Sequence, residues 1–271
     1  MLIDFHTHCF PDALAPRAIA SLAATASATG FLPITDGTAA GAERCLRAAG
    51  IDRAVVCNIA TNARQQQKVN DFAIFLNRRG GMLTALGSIH PDSYCIEEEL
   101  DRLKAAGIRG IKLHPDYVGI EIDDLRFAPI LDGCAARGLF VITHAGFDPV
   151  SPAHAHATPT MLRRVLDAHP ALTLIAAHVG GMRECAAVLD CLVGSRIYID
   201  TSMAREMAQD PGLKPLVEQI LREHDPSRIL FGTDLPWTDP TETLRYCRSL
   251  RLPDCVYAEN ALRLLAVHKE A

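Results

Sequence analysis

The sequence predicts an α/β fold, a (β/α)₈ TIM barrel. Short β-branched or apolar runs recur eight times along the 271 residues, and segments of helical period separate them. Strands alternating with helices of about 10–15 residues make βαβ units and a parallel sheet. Eight such units fill a closed barrel of about 250 residues. A doubly wound open sheet is the alternative. It usually carries a GxGxxG or Walker turn after an early strand, and neither occurs here.

The strand runs are residues 2–8, 53–60, 83–90, 110–114, 139–144, 172–178, 196–201 and 228–234. After the first comes the longest connection, residues 9–40, rich in Ala, Thr and Ser. A connection of that length is either a functional lid or a helical excursion, here over residues 14–28. Val69, Phe72, Ala73 and Leu76 stripe a helix that Gly80-Gly81 ends. Ile96, Leu100 and Leu103 stripe the next, with Gly107 as its stop. Thr158-Pro159 offers an N-cap and an N1 proline ahead of Leu162, Val165 and Leu166. Leu213, Leu216, Val217, Ile220 and Leu221 form a further stripe.

Apolar residues make up 49% and charged residues 22%, which excludes a disordered, collagen-like or coiled-coil chain and suits one domain over residues 1–271. The 27 Lys and Arg stand against 32 Asp and Glu, so no basic excess points to nucleic acid. No apolar stretch reaches the roughly 18 residues a membrane span needs. Nine Cys, an odd number at irregular spacings without a CxxC pair, read as reduced thiols in a cytoplasmic protein. The N-terminus runs straight into a strand without the charged and apolar regions of a signal peptide.

Barrel enzymes build their sites at the C-terminal ends of the strands. Six of the 11 His lie there: His6, His8, His90, His114, His144 and His178. Chance would place about one, taking roughly three positions per strand end. Converging imidazoles suit a metal better than an apolar core. His6-Thr7-His8 is the sharpest signal, because residues two apart on a strand share a face and both can reach one ion at ~2.0–2.1 Å. His154-Ala155-His156 repeats the pattern in a Pro- and Ala-rich stretch with no strand to align it, and reads as an exposed loop. Asp234 emerges from a buried apolar run and must be paired, hydrogen-bonded or metal-bound. It is a poor helix cap, since Thr238-Asp239-Pro240 is the better helix start. Asp200 is similar but weaker, and its alternative is a hydrogen bond to its own turn. Lys112 and His114 share a strand face. Turned inward they would bind an anionic substrate group, and turned outward Lys112 would snorkel between helices. Cys9 faces away from His8 and reads as packing. Trp237 is either core or a pocket wall.

With these residues in place the chain resembles the amidohydrolase superfamily, in particular its branch of metal-dependent TIM-barrel hydrolases and related decarboxylases. The segments that carry the resemblance are Ile3-Asp4-Phe5-His6-Thr7-His8, Gly110-Ile111-Lys112-Leu113-His114-Pro115, Ala177-His178-Val179-Gly180-Gly181, Tyr198-Ile199-Asp200-Thr201-Ser202, Leu230-Phe231-Gly232-Thr233-Asp234 and Glu259-Asn260-Ala261. The resemblance implies that His6, His8, His144 and Asp234 hold one divalent metal. Zinc comes first, with manganese, iron or cobalt as alternatives that such a donor set also accepts. It implies that His178 either polarises substrate or binds a second metal, with Lys112 as a bridging carbamate in the two-metal case. Hydrolysis of an amide, lactone or ester leads. Asp234 is then the proton carrier and His178 the electrophile, both catalytic. Non-oxidative decarboxylation of an unsaturated or aromatic acid is the alternative. Against it stand the short chain and the lack of an evident carboxylate-clamping arginine, for which Arg17, Arg64 and Arg183 are candidates. The expected partner is a small molecule with a carboxylate or carbonyl group, with no nucleic acid and no membrane. Relatives of this kind are commonly homo-oligomers.

Overall fold

The computed structural model describes residues 1–27 and 30–266. β1 (Ile3–Thr7) is followed by α1 (Ala15–Ala26) and α2 (Ala39–Ala48), and β2 (Arg53–Val56) by α3 (Gln66–Arg79). Then come β3 (Leu83–Ala85), α4 (Ile96–Ala105), β4 (Gly110–Leu113), the short α5 (Pro115–Val118) and α6 (Ala128–Ala136). β5 (Phe140–Thr143), α7 (Pro159–Ala168), β6 (Leu174–Ala176), α8 (Cys185–Cys191) and β7 (Tyr198–Asp200) follow. The chain ends through α9 (Ala204–Met207), α10 (Lys214–Glu223), β8 (Ile229–Leu230), α11 (Pro240–Ser249) and α12 (Glu259–Leu265).

All eight expected strands form, parallel and in sequence order, in ladders β1-β2-β3 and β4-β5-β6-β7-β8. Two seams close the ring. At the first, Gly87 N donates to Gly110 O at 3.1 Å and Lys112 N to Gly87 O at 2.8 Å. At the second, Phe5 N donates to Phe231 O at 2.7 Å and Asp234 N to His6 O at 2.8 Å. The ladders end earlier than the apolar runs suggest, because the upper residues leave them for side-chain partners. At the end of β3, Asn77 Oδ1 accepts from Ala85 N at 2.6 Å, and beyond it Asn70 Oδ1 accepts from Ser88 N at 2.8 Å, both from α3.

Strand alternation sorts the side chains. On β4, Ile111 and Leu113 pack under the helices with Leu100, Leu103 and Val141. The barrel floor is filled by Ile3, Phe5, Val55, Leu86, Phe140, Ile142, Ile175 and Leu230, with Ala261 of α12 beneath. Gly110 also faces this floor, where a Cβ would stand 2.4 Å from the Phe140 ring and 2.6 Å from its carbonyl oxygen. Above the floor the inward positions turn polar, beginning with Lys112.

The helix signals take effect as expected. Thr158 caps α7 by accepting from Met161 N, with Pro159 behind it. Asp239 caps α11 by accepting from Thr241 N and Glu242 N, which leaves Asp234 free of capping. The 9–40 connection contains a helix, α1. Ala28, the expected end of that excursion, lies outside the described residues. All nine cysteines are free. No helix among the described residues is long and apolar enough to cross a membrane.

Candidate metal centre

His6 owes its position to an irregularity in β1. Pairing with β2 shifts register between Asp4 and Thr7. Phe5 therefore belongs to the floor, and the next residue, His6, also reaches the interior. A bulge of this kind re-aims a side chain beside a site. Asp4 is left on the helix side, fully buried, where it accepts from Thr233 Oγ1 at 2.6 Å and Thr233 N at 3.0 Å. Burial, opposed by these bonds, pushes its carboxyl up to about 7.

Three donor atoms converge above the floor. His8 Nε2 lies 3.1 Å and His6 Nε2 3.5 Å from Asp234 Oδ1. The far nitrogen of each ring fixes its tautomer. His8 Nδ1 donates to the Cys57 carbonyl at 2.9 Å and His6 Nδ1 to Asp200 Oδ2 at 2.8 Å. Carbonyls and ionised carboxylates only accept, so in a neutral ring held this way Nε2 carries the lone pair on the side of Asp234. Two donors each about 2.1 Å from one ion at the tetrahedral angle stand about 3.4 Å apart. The spacing and the oriented outer shell therefore fit a divalent cation. Lys112, almost fully buried, points inward as expected, its Nζ 3.2 Å from His6 Nε2. Gly232 gives the trio room, since a Cβ there would come within 3.0 Å of His6 Cβ.

Asp200 is far more than a turn cap. Its Oδ2 orients His6, and its Oδ1 accepts from His178 N and Ser202 N, both at 3.0 Å, and from Ser202 Oγ. Ser202 Oγ in turn accepts from His178 Nδ1 at 2.8 Å. His178 Nε2 is 3.0 Å from His144 Nδ1. His144, expected among the ligands of the trio, is thus turned toward His178. Its Nε2 lies in a second group with His114 and Asp148. His178, Val179, Met203 and Asp234 all hold left-handed backbone angles at the ends of β6, β7 and β8. Such strain clusters where a site constrains the chain.

Electrostatics favour neutral imidazoles and an ionised carboxylate. Burial, reinforced by Lys112, holds His6 below the usual imidazole range. Burial, then the neighbouring His144 and His6, does the same more strongly to His178. Burial and His114 bring His144 down to about 3. Burial alone would raise Asp234, but its neighbours His8, His6 and Lys112 outweigh it and hold the carboxyl below its ordinary value.

These groups open on a cavity of about 820 Å³ with an apolar wall that includes Phe10, Phe31, Phe72, Phe147, Met182, Met203 and Trp237. Trp237 is therefore a pocket wall, and α1 lines the mouth through Arg17, Ala18, Ser21 and Leu22, with Leu14 just before it. Cys9 borders the cavity but is buried in the apolar layer, which pushes its thiol up to about 12. His90 lies away from the cavity, its Nδ1 accepting from Asp92 N. The His154-Ala155-His156 loop divides. His154 is exposed against Glu121 at 3.1 Å, whereas the more buried His156 donates to Asp116 at 3.0 Å. Of the three candidate arginines, all among the described residues, Arg17 borders the cavity. Arg183 stacks on Phe147 at 4.5 Å. Sequence reasoning missed Asp148 and Tyr117, which follow no motif. It undervalued Asp200, whose placement at the buried end of β7 was the available signal.

Solved structures share the fold. An uncharacterised TIM-barrel protein of Bordetella bronchiseptica is 19% identical, with a TM-score of 0.72 over 97% of this chain and 98% of that one. The 5-carboxyvanillate decarboxylase of Sphingomonas paucimobilis is 15% identical, with a TM-score of 0.68 over 97% and 98%. A probable 2-pyrone-4,6-dicarboxylic acid hydrolase of Acinetobacter baumannii, with citric acid bound, is 16% identical, with a TM-score of 0.66 over 97% and 98%. A search of curated proteins finds no match. The amidohydrolase family model matches residues 3–267, and the chain belongs to that family of enzymes.

Proposed function

We propose that this enzyme hydrolyses an amide, lactone or ester bond of a small, planar carbonyl compound, with a divalent cation held by His6, His8 and Asp234. The observation that carries the reading is the convergence of two imidazole lone pairs and an ionised carboxylate, at 3.1 and 3.5 Å, on the floor of an apolar cavity. A divalent cation bound there supplies Lewis acidity, polarising a carbonyl and acidifying water. Asp234 Oδ2, the oxygen not directed at His8, takes the proton of the attacking water and returns it to the leaving nitrogen or oxygen as the C–N or C–O bond breaks. His178 is fixed by Ser202 and Asp200 at one end and bonded to His144 at the other, and it borders the same chamber. Both nitrogens of the neutral ring are thereby engaged, so His178 is a positioning residue that holds His144 rather than the expected electrophile at the oxyanion. The aromatic walls hold a flat ring, and Lys112 draws an anionic group inward.

A second reading, decarboxylation of an aromatic acid, is favoured by those aromatic walls and by the likeness to the carboxyvanillate enzyme. Chain length does not weigh against it, because this chain covers 98% of that decarboxylase. One experiment separates the two. Metal-loaded enzyme is given lactones, cyclic amides, aryl esters and hydroxybenzoates in ¹⁸O-water. Hydrolysis places ¹⁸O in the product acid without releasing CO₂. Release of CO₂ without ¹⁸O in the organic product overturns the hydrolase reading. His178→Ala should lower kcat, because His144 loses the partner that holds it, with the metal at His6, His8 and Asp234 unchanged. Loss of metal in that variant would make His178 a ligand instead.

A further inference from the structure

Charged groups gather at two ends of the cavity. The inner end holds the trio and Lys112. At the outer end Arg17 of α1 and Lys68 of α3 line the same cavity and are both exposed, so they stand at its opening. Each lies on the face its helix turns to the cavity. Arg17 shares that face with Ser21, four residues on, and Lys68 with Gln65 and Phe72, three residues before and four after. Between the two ends lies the apolar wall. A volume of about 820 Å³ suits a drug-sized ligand, so a compound that reacts at the inner end has room to extend to the opening.

The two cations differ from others on this surface. Arg44, Arg79, Arg102, Arg126 and Arg137 each pair with a carboxylate. Among the described residues neither Arg17 nor Lys68 has an ion pair or a side-chain hydrogen bond. No acid at the opening answers them. Among the described residues the acids that line the cavity are Asp148 and Asp234, both buried among the histidines. Lys68 also stands in the first turn of α3, which has no acidic residue, and a cation there opposes the helix dipole. Helix stability therefore does not account for its place.

We propose that Arg17 and Lys68 form an outer anion subsite, a proposal that rests on the reading that the reaction takes place at the trio. The substrate is then a flat molecule with its reacting carbonyl at one end and an anionic group at the other. The guanidinium fork matches a carboxylate through two hydrogen bonds, and the ammonium adds a point charge. This subsite is no clamp on the reacting group, because both cations stand at the opening and the trio is at the floor. It selects for length. An anionic group that stops short of the opening is left against Phe72 and Phe147 without a partner, which costs binding.

The test is a calorimetric titration of Zn²⁺-loaded, full-length protein with two probes, 2-naphthoate and naphthalene-2,6-dicarboxylate. Wild type is compared with Arg17→Gln, Lys68→Gln, the double variant and Arg64→Gln, the last an exposed arginine outside the cavity lining. Wild type should bind the dicarboxylate about 10-fold tighter than the monocarboxylate at low salt, as two exposed charge pairs of up to about fivefold each allow. Each single variant should lose about threefold of that advantage, the double variant all of it and Arg64→Gln none, with 2-naphthoate binding unchanged throughout. Salt at about 0.5 M should erase the advantage in wild type, since exposed charges are screened. Equal binding of the two acids by wild type overturns the proposal. So does an advantage that the double variant keeps, and so does the failure of both acids to bind. Failure of the metal reading looks different. In that case 2-naphthoate binds metal-loaded and metal-free protein alike, while a dicarboxylate advantage lost in the double variant still upholds the outer subsite.

Discussion

Asp200 does the work of an orienting carboxylate three times over, holding the ring of His6, the backbone of His178 and the hydroxyl of Ser202. Asp200→Asn keeps the shape but lets the amide nitrogen face His6 Nδ1, so the ring loses its reason to present Nε2 to the trio. Loss of such an outer-shell partner costs about 10–100-fold in metal affinity. The expected outcome is a 10–100-fold weaker Kd for the ion at His6 in a Co²⁺ titration, with the fold intact by circular dichroism. An unchanged Kd would mean that the carboxylate serves the turn alone. At this scale, spacing on a strand made His6 and His8 readable as neighbours, because alternation converts sequence distance into facing directly, whereas Asp234 joined them only through the family resemblance. Asp148 was not readable. It sits in the loop after β5, and its position depends on Asp116, 32 residues earlier, which holds that loop through Ser151 and His156. Ser202 stood in a quoted segment without a role of its own, since a serine after a strand has many roles until its partner is known.

The strands and helices were legible in order because burial on both faces writes continuous apolar runs and the helices write their caps. The ends of the strands were less so. Where Asn70 and Asn77 replace ladder partners, a run of apolar residues continues although the strand has stopped. The bulge in β1 left no mark, because Phe5 and His6 read as alternating faces when both turn inward. Gly110 is an element-level constraint of the same hidden kind. Its missing side chain lets Phe140 cross the floor toward Phe5, the two rings 5.6 Å apart. Gly110→Ala would set a methyl against both a ring and a backbone carbonyl, and the carbonyl cannot move aside without breaking the β4–β5 ladder. Overpacking typically costs about 1–3 kcal/mol, and a backbone clash puts this case at the upper end. With about 2–4 °C per kcal/mol for a chain approaching this size, the melting temperature should fall by roughly 6 °C or more. A fall under about 2 °C would show slack in the floor.

Over the whole molecule, burying so many imidazoles makes acid the weak side of this fold. Burial holds His6, His114, His144, His178 and His224 below the ordinary imidazole pKa. When the chain unfolds, each returns to about 6.5 and binds a proton that the folded state refuses. The unfolded state therefore gains protons below that pH, and stability rises with pH up to about 6.5 and falls as pH drops beneath it. Asp4 works in the opposite sense. Its folded pKa of about 7 lies above the ordinary carboxyl value, so it stabilises the fold at low pH and loses that contribution as pH rises toward 7. Between about pH 4 and 6.5 three raised carboxyls, Asp4, Glu184 and Glu206, oppose these five imidazoles and His90, each group worth up to about 1.4 kcal/mol per pH unit. The imidazoles win. Urea unfolding of metal-free protein should show a nearly flat stability from pH 8 to 7. Below pH 6 the loss should exceed what one group can give, about 1.4 kcal/mol per unit. Asp4→Asn should steepen that loss, and added divalent cation should raise stability at neutral pH more than at pH 5, because protons compete for the same nitrogens. A flat profile down to pH 5 would mean that these rings take up their protons in place, and the neutral, metal-ready cavity described here would be wrong.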